Sequence, residues 1–482
     1  MENKEISVEL RLVLAFALSF VILMGWRFLL PKPPAEPPQS KAPAAQAAAK
    51  PADATSAPQA SATPAAQPIG EPKQAAAEQQ ITVESDLYQI VFSSRGGVAK
   101  SWSLRRYRDE KNNSLDVMDQ DAAKQYGDPF AIWTADPALR QRLNEALFVP
   151  SATGNLKAPA TLTFEYRNDH IAARKEITFN AKDYIVEVKT DVFADDKPVS
   201  HQIAWRGGFG DAHDIGMRGN QIDVFYRDPQ KVSRLAPGDV KNGDMSASGM
   251  LEFAGIEDRF FTAAFLPTAG PLRVTAFRND VTVPKESKPR QSVGMAVGSM
   301  DAPQNHMRLF VGPKDTELMA TIQPRLPELV DYGWFAFVAK PLFLAMRWMH
   351  DHIVANYGWA IILLTVLINF ALFPIKLKGM KSQIQLQKIQ PQMKAIQEKY
   401  KQYKMKDPRK QEMQKEIMEL QSKHGVNPLG GCLPMLVQIP FLYGFYKVLV
   451  VSIEMRHAPW ILWIHDLSAP EQLTIRVLPI AM

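Results

Sequence analysis

Few side chains in this sequence have the types and spacing that a catalytic site requires. Asp211, His213 and Asp214 form an acidic and histidine cluster, but they directly follow the glycine-rich segment 207–210, which is typical of a polar loop. The sequence contains no Gly-x-x-x-x-Gly-Lys phosphate loop, no His-Glu-x-x-His zinc helix and no Gly-x-Ser-x-Gly elbow. We therefore predict no enzymatic activity and no cofactor.

The residues that could bind a metal ion are equally sparse. His350 and His352 are separated by one residue, so on a helix they point to different faces and cannot share an ion. Cys432 is the single cysteine, which excludes a disulfide framework and a cysteine-based zinc site. The sequence predicts no metal site.

The positive charge of the chain is concentrated in one segment. The 482 residues carry a net charge of +6 and the pI is about 9.1. Between Lys376 and His424 there are 13 basic and 5 acidic residues, and the rest of the chain sums to −2. This distribution argues against a general polyanion-binding surface, and we expect no sequence-specific recognition of nucleic acid.

Three apolar segments are candidates to cross a membrane. Residues 1–30 include the run Leu12–Leu30, and residues 356–375 include Tyr357–Phe373; each is long enough to span ~30 Å of hydrocarbon. The first could instead be a cleaved signal peptide, but the bulky residues and prolines that follow favour an uncleaved anchor. The third, residues 427–454, is interrupted by prolines, which neighbouring helices can accommodate.

Between the first two spans the composition changes twice. Residues 31–80 are dominated by Pro, Ala, Gln and Ser, which predicts a disordered linker. Residues 81–325 contain short alternating runs such as Tyr88–Phe92, Thr161–Tyr166 and Tyr184–Val188, separated by turn signals. This pattern predicts a large antiparallel β-sandwich domain.

Residues 326–355 mix aromatic, aliphatic and basic side chains, including Trp334, Phe337, Leu342 and Arg347. This mixture suits an amphipathic helix lying in the membrane interface. An ordinary domain helix that packs on the sandwich is the alternative.

The basic segment, residues 376–426, has the heptad pattern of a helical hairpin. Leu386, Ile389, Met393, Ile396, Tyr400 and Tyr403 are spaced 3, 4, 3, 4 and 3 apart, and Met413, Ile417, Leu420 and His424 continue the pattern after Pro408. Its candidate binding residues are Lys388, Lys394, Lys399, Lys401, Lys404, Arg409 and Lys410. They either dock on an anionic surface, namely phospholipid headgroups or ribosomal RNA, or form a solvated spacer that sets topology.

Basic loops stay in the cytoplasm, so the hairpin lies inside, the N-terminus is cytoplasmic and the β domain is periplasmic. Residues 455–482 then form a periplasmic loop and the start of a fourth span. Because an apolar run reaches Met482, we expect the given sequence to stop inside that span.

Several motifs resemble those of one membrane-protein family. The segment Asn427–Pro434 followed by Gln438-Ile439-Pro440 is similar to the signature at the third span of bacterial YidC membrane protein insertases. The segments Tyr332–Trp334, Trp463–Leu467 and Glu257–Phe261 match as well, and the order of elements agrees along essentially the whole chain. The resemblance implies a polytopic α-helical membrane protein with a periplasmic β-sandwich and a cytoplasmic helical hairpin, whose fourth and fifth spans are absent here.

The resemblance also implies a function in the bacterial inner membrane. Members insert nascent membrane proteins and help them to fold, alone or with the Sec translocon, through a hydrophilic groove within the membrane. A wet, shortened path lowers the cost of moving polar groups across hydrocarbon. Nascent membrane proteins, the Sec translocon, the ribosome and anionic phospholipids are the partners that it implies.

The groove residues are inferred from polarity within the spans and from their place in the family. They are Thr365, Asn369, Gln438, Tyr446 and Lys447. Asn369 stands where family members commonly have an arginine, so the charge of the groove is in doubt. Lys447 could replace it, but counted along the helices it lies ~9 Å deep from the outer side and Asn369 ~18 Å deep. Snorkelling of Lys447 to the outer headgroups is the alternative.

Two other functions compete with insertion. A transporter should show paired broken helices and repeat symmetry, which the sequence lacks. An anchored periplasmic binding module would place the function in the β domain.

Overall fold

The computed structural model describes residues 71–109, 111–211, 221–240, 245–268, 270–283, 288–300, 302–403, 407–425 and 433–468. The predictions for the N-terminal anchor, most of the linker, His213, Asp214, Lys404, Cys432 and the start of a fourth span lie outside these residues.

Residues 80–313 form a β domain, in whose described residues there are twenty strands. The strands are β1 (Gln80–Glu84), β2 (Tyr88–Ser93), β3 (Val98–Arg108), β4 (Ser114–Asp116), β5 (Ala131–Trp133), β6 (Val149–Pro150), β7 (Gly154–Lys157), β8 (Ala160–Arg167), β9 (Ile171–Phe179), β10 (Ile185–Ala194), β11 (Lys197–Pro198), β12 (Gln202–Trp205), β13 (Asp223–Arg227), β14 (Val232–Leu235), β15 (Met245–Gly249), β16 (Phe253–Glu257), β17 (Phe261–Pro267), β18 (Leu272–Val281), β19 (Arg290–Ser299) and β20 (Asn305–Pro313).

The strands form three sheets. The largest has the order β14-β13-β16-β17-β20-β10-β9-β8-β6 with β11 beside β10, and two five-stranded sheets have the orders β4-β3-β2-β1-β7 and β15-β18-β19-β12-β5. The prediction of a large antiparallel β domain is confirmed, with one difference. Strand β7 pairs parallel to β1, with Ile81 opposite Gly154. Local alternation does not reveal such a pairing, because it depends on how the chain returns.

One hydrophobic core lies between the sheets, and period-two alternation places its residues. In β9, Ile171, Ala173, Ile177 and Phe179 point inward and are buried. Lys175 occupies the same face and is also buried. Its ammonium group donates hydrogen bonds to the carbonyl oxygens of Gly96 (2.6 Å), Gly97 (3.2 Å) and Phe130 (2.6 Å), which satisfies all three of its donors.

Seven α-helices accompany and follow the sheets. They are α1 (Gln120–Tyr126), α2 (Pro137–Glu145), α3 (Thr316–Ile322), α4 (Ala336–His352), α5 (Tyr357–Lys399), α6 (Arg409–Lys423) and α7 (Leu433–Val451), within the described part of the chain. Asp119, Asp136 and Asp315 cap the first three through side-chain hydrogen bonds to backbone amides. The first two lie inside the β domain, and the third leads from β20 to the long helices.

Helix α5 is continuous from the second predicted span into the hairpin. It runs for 43 residues through Pro374 and Pro391, whereas the sequence boundary between span and hairpin fell at residues 375 and 376. A proline removes one backbone hydrogen bond but need not end a helix whose other turns are satisfied. Among the described helices, α5 is the one long and apolar enough to cross a membrane; Met435–Val451 in α7 is a shorter apolar helix.

The hairpin consists of the last part of α5 and of α6, which pack together. Ile389 and Tyr400 are buried at this contact, and Met393, Ile396 and Leu420 are half-buried. These are residues of the predicted heptad; in α6 the buried residue is Gln421, which lies beside the heptad position Leu420. His424 is exposed instead, because α6 ends at Lys423.

The β domain and the long helices share one hydrophobic core. Tyr332, Leu342 and Met346 belong to the same cluster of buried side chains as the inner faces of the sheets. Helix α4 packs against both α5 and α7. The β domain is therefore seated directly on one end of the apolar helices, at the start of α5 and the end of α7; we call this the outer end, and the end that carries the hairpin the inner end.

Candidate functional site

A polar face runs along the apolar helix α5. Thr365, Asn369 and Lys376 lie within about 40° of one another around the helix axis, at 100° per residue. The hydroxyl of Thr365 donates to the carbonyl of Ile361 (2.7 Å), and the side-chain amide of Asn369 donates to the carbonyl of Thr365 (2.8 Å). The ammonium group of Lys376 donates to Oδ1 of Asn369 (2.6 Å).

The orientation of the Asn369 amide follows from its two partners. A carbonyl can only accept and an ammonium group can only donate, so Nδ2 faces Thr365 and Oδ1 faces Lys376. The Lys376 side chain points toward the N-terminus of α5, which is the direction that Cα–Cβ bonds favour on a helix. A positive charge is thereby held next to Asn369, two turns from its own backbone.

Lys376 lies on this polar face but is not among the groove residues predicted from the sequence. The sequence predicts it in the basic hairpin because it follows Pro374, close to the predicted end of the span. The spacing 365, 369 and 376 is a signal that could have found it, since positions four and eleven residues further along a helix share one face.

Helix α7 presents its candidate residues on different sides. Tyr446 is 59% exposed, on the same side as the exposed Leu442 and Met435, and Gln438 is half-buried. Lys447 is half-buried, and its Cε lies 3.4 Å from the position that a Cβ at Gly333 would occupy. The structure thus places Lys447 against the segment that precedes α4.

The environment of Lys447 is aromatic and lies toward the outer end of the helices. The hydroxyl of Tyr443 also lies against Gly333, and the Tyr443 ring packs edge-on against Phe335 with ring centroids 5.5 Å apart. Gly444 allows the backbone of α4 to approach closely at Ala339. The contact of Lys447 is therefore with the segment before α4, and not with Asn369.

The candidate residues of the hairpin divide into two groups. Lys399 pairs with Glu416 across the two helices (2.9 Å), and Arg409 binds both oxygens of Asp407 at 3.0 Å. Lys388, Lys394 and Lys401 are exposed, and Lys410 is half-buried. The Lys399 pair links the two helices and the Arg409 pair is local to the start of α6, whereas the exposed lysines are available to a partner.

Buried charges join the β domain to the outer end of α7. Arg456 forms an ion pair with Asp211 at 2.6 Å, with side chains 4% and 7% exposed. Arg259 donates through Nε to the carbonyl oxygen of Val450 (2.5 Å), one residue before α7 ends. Asp211 was interpreted as part of a polar loop rather than as a catalytic residue; its partner is 245 residues away, and local sequence reasoning did not find it.

Asp258 forms the centre of this joint. Its carboxylate accepts hydrogen bonds from the backbone amides of Asp211 (3.1 Å), Phe260 (2.8 Å) and Phe261 (2.6 Å). Burial raises the pKa of Asp258 to about 6, and the three amides and Lys314 partly offset that rise. Gly210 is required beside it, because a Cβ there would overlap the Asp258 side chain and its φ is +98°.

No described group of three or more His, Cys, Asp or Glu side chains could hold a metal ion. His350 pairs with the adjacent Asp351 (2.9 Å), while Nδ1 of His352 lies 3.0 Å from the carbonyl oxygen of Trp348. The two histidines therefore have separate partners.

Comparison with known proteins identifies relatives over almost the whole length. The family described as 60Kd inner membrane protein matches residues 348–482, and the YidC periplasmic domain matches residues 80–345. A membrane protein insertase YidC from Pelobacter propionicus is 36% identical over 415 residues, covering 83% of this chain and 73% of the relative. One from Maridesulfovibrio salexigens is 30% identical over 507 residues, covering 100% and 88%.

A galactose mutarotase related enzyme from Lactobacillus acidophilus is similar in structure at 12% identity, covering 48% of this chain and 97% of that one, with a TM-score of 0.32. A likeness this weak carries no argument.

Proposed function

Since the chain belongs to the YidC family of membrane protein insertases, which insert nascent proteins into the inner membrane, we propose that polar segments of its substrates pass along the polar face of α5. Lys376, held by Asn369, is the cation of this path. The Lys376–Asn369 hydrogen bond of 2.6 Å is the observation that carries the proposal.

The direction of the Lys376 side chain supports this function. In the proposed topology α5 runs from the periplasm to the cytoplasm, so a lysine at its inner end would reach water by extending toward the C-terminus. Lys376 extends toward the N-terminus of α5 instead, which in the proposed topology is toward the membrane interior. A charged group inside the membrane costs about 2.5–3.5 kcal/mol on insertion scales, and such groups usually line polar paths.

The mechanism needs no covalent step. Thr365, Asn369 and Lys376 offer hydrogen-bonding groups to a polar segment that would otherwise cross hydrocarbon without partners, which lowers the barrier. Gln438 and Tyr446 belong to the same path in this proposal, because α7 packs on α5 and both side chains are at least partly exposed. Lys447 is assigned to the outer end of the path, beside Gly333.

The remaining elements take the roles that their exposed surfaces support. Trp334, Phe337, Leu344 and Trp348 of the α4 region are exposed, which suits a helix in the outer interface, while the opposite face of α4 packs on α7. The exposed lysines of the hairpin dock on a phosphate-bearing surface, either the ribosome or anionic phospholipids. We also propose that the N-terminus is cytoplasmic and that the β domain is periplasmic. The chain associates with the Sec translocon in this proposal.

The test compares the insertion activity of a Lys376 variant with that of a variant at the nearby Lys378. Lys376→Met and Lys378→Met each remove one lysine from α5, but Lys378 lies about 200° around the helix. Full chains are reconstituted in liposomes, and insertion is measured for a substrate with an acidic translocated tail and for one whose acids are changed to Asn and Gln.

We expect Lys376→Met to reduce insertion of the acidic tail roughly tenfold, the value of one charge-assisted hydrogen bond, and to leave the neutral tail unaffected. Lys378→Met should behave like the unsubstituted chain. Equal insertion of the acidic tail by both variants would show that the cation of the path lies elsewhere.

A further inference from the structure

The β domain contains a cavity of about 470 Å³ at the edge where β5 joins its sheet. Such a volume lies within the range of small-molecule sites, about 300–1,000 Å³. Five parts of the chain line it in addition to β5: the β2–β3 turn, the start of β3, the end of α1 with the loop after it, one side of α2 and the end of β12.

The charge of the lining is strongly unbalanced. It contains four cations, Arg95, Lys100, Arg140 and Arg206, and one carboxylate, Asp128. Lys100 pairs with Asp128 at 2.6 Å, and Arg95 with Glu78 at 2.9 Å. A concave site lined by an excess of positive charge has a positive potential that attracts anions.

Two of the cations are held by aromatic rings. The guanidinium carbon of Arg140 lies 3.8 Å from the Trp133 ring centroid, and that of Arg206 lies 4.8 Å from Trp133 and 4.2 Å from Phe277. Stacking fixes a guanidinium plane while its N–H groups point sideways and can still bind carboxylate or phosphate in pairs. A sugar ring could stack on Trp133 only by displacing one of these arginines.

The walls of the cavity are rigidly supported from behind. Asn144 donates to the carbonyl of Ile132 (2.9 Å) and accepts from its amide (2.8 Å), which ties α2 to β5. The buried Lys175 joins the carbonyl oxygens of Gly96, Gly97 and Phe130, so it holds the β2–β3 turn against the start of β5. A site whose supporting residues are fixed in advance loses little entropy on binding.

We propose that this cavity binds a small anion bearing two or more carboxylate or phosphate groups, with Arg140 and Arg206 as its principal ligands. The proposal is independent of the path along α5. It gives the β domain a binding function separate from the insertion of substrates.

The experiment measures binding to the purified full chain in detergent by calorimetry. Citrate and pyrophosphate are the two probes, because they distinguish a carboxylate site from a phosphate site, and sodium chloride at equal ionic strength controls for general screening. Arg140→Gln is the test variant. Arg174→Gln, which removes an exposed arginine of β9 outside the cavity, is the matched control.

We expect saturable binding of at least one probe, weakened roughly tenfold or more by Arg140→Gln and unchanged by Arg174→Gln. Arg95→Gln, which changes an exposed side chain of the β2–β3 turn, gives a second test if Arg140→Gln does not fold. Binding that both arginine variants of the cavity leave unchanged, or no saturable binding of either probe to the original chain, would overturn the proposal.

Discussion

Charged residues at the two ends of the apolar helices are used in opposite ways. At the outer end, Asp211 and Arg456 are buried and paired, and Asp258 is buried under three backbone amides. At the inner end, the hairpin carries exposed lysines, and its ion pair between Lys399 and Glu416 has side chains 63% and 37% exposed. Buried pairs are expensive to break, whereas exposed pairs contribute little.

The difference separates a fixed joint from a surface that is free to exchange partners. The outer joint sets where the β domain sits on α7, and nothing outside the chain is needed to satisfy its charges. The inner surface leaves Lys388, Lys394 and Lys401 to solvent, so an external anionic partner can use them. Substitutions at the two ends should therefore affect different properties.

The largest effect on stability is expected from breaking the outer ion pair. Arg456→Met removes the buried ion pair with Asp211 and should lower the free energy of unfolding by about 3–5 kcal/mol. Urea unfolding of the full chain in detergent measures this loss. Lys399→Met, at the exposed pair, should cost less than about 1 kcal/mol.

The double variant Arg456→Met with Asp211→Asn provides the control, because it also removes the negative charge of Asp211. It should recover part of the lost stability. Similar losses for Arg456→Met and Lys399→Met would remove the distinction between the two ends.

The second prediction concerns the pH dependence of the joint. Burial raises the pKa of Asp258 to about 6 from its ordinary value of 3.8, so its contribution to stability is full below pH 3.8 and is lost as the pH rises through about 6. A shift of this size corresponds to about 3 kcal/mol. Unfolding of the original chain and of Asp258→Asn is compared between pH 4 and pH 8.

The difference in free energy of unfolding between the two chains should change over that interval. Every other charged group around Asp258 is the same in both chains, so the difference between the two curves isolates the contribution of the Asp258 carboxyl group. Parallel curves for the two chains would refute a raised pKa at Asp258.

The smallest effect on stability, under about 0.5 kcal/mol, is expected at the inner surface. Replacing Lys388, Lys394 and Lys401 with Gln should leave unfolding unchanged but weaken co-sedimentation with ribosomes or with anionic vesicles, whichever is the partner. Lys157, Lys182 and Lys197 of the β domain are exposed too, and their replacement with Gln is the charge-matched control. Unchanged binding to both partners would favour the spacer interpretation of the hairpin.

Period-two and heptad patterns predicted the β domain and the line of contact in the hairpin, because both depend on which face of a local element is apolar. The Asp211–Arg456 pair and the parallel pairing of β1 with β7 depend on tertiary folding, which local spacing does not encode. Lys376 is intermediate. The position of Lys376 on one helical face with Asn369 follows from spacing. Its hydrogen bond to Asn369 requires α5 to continue beyond Pro374, close to the predicted end of the span.

The continuity of α5 also has a mechanical consequence. Its outer end is held where Trp460 packs against Gly358, so closely that no side chain fits there, and where Asn356 donates to the carbonyl of Pro459 (2.9 Å). From this fixed end, α5 extends ~63 Å to Lys399 and ~18 Å to Asn369, at 1.5 Å per residue. A tilt of about 5° would swing the hairpin end by roughly 5–6 Å and Asn369 by under about 2 Å. The hairpin end would therefore move more than three times as far as Asn369, and a force that a partner applies to the hairpin would be multiplied by the same factor at the polar face.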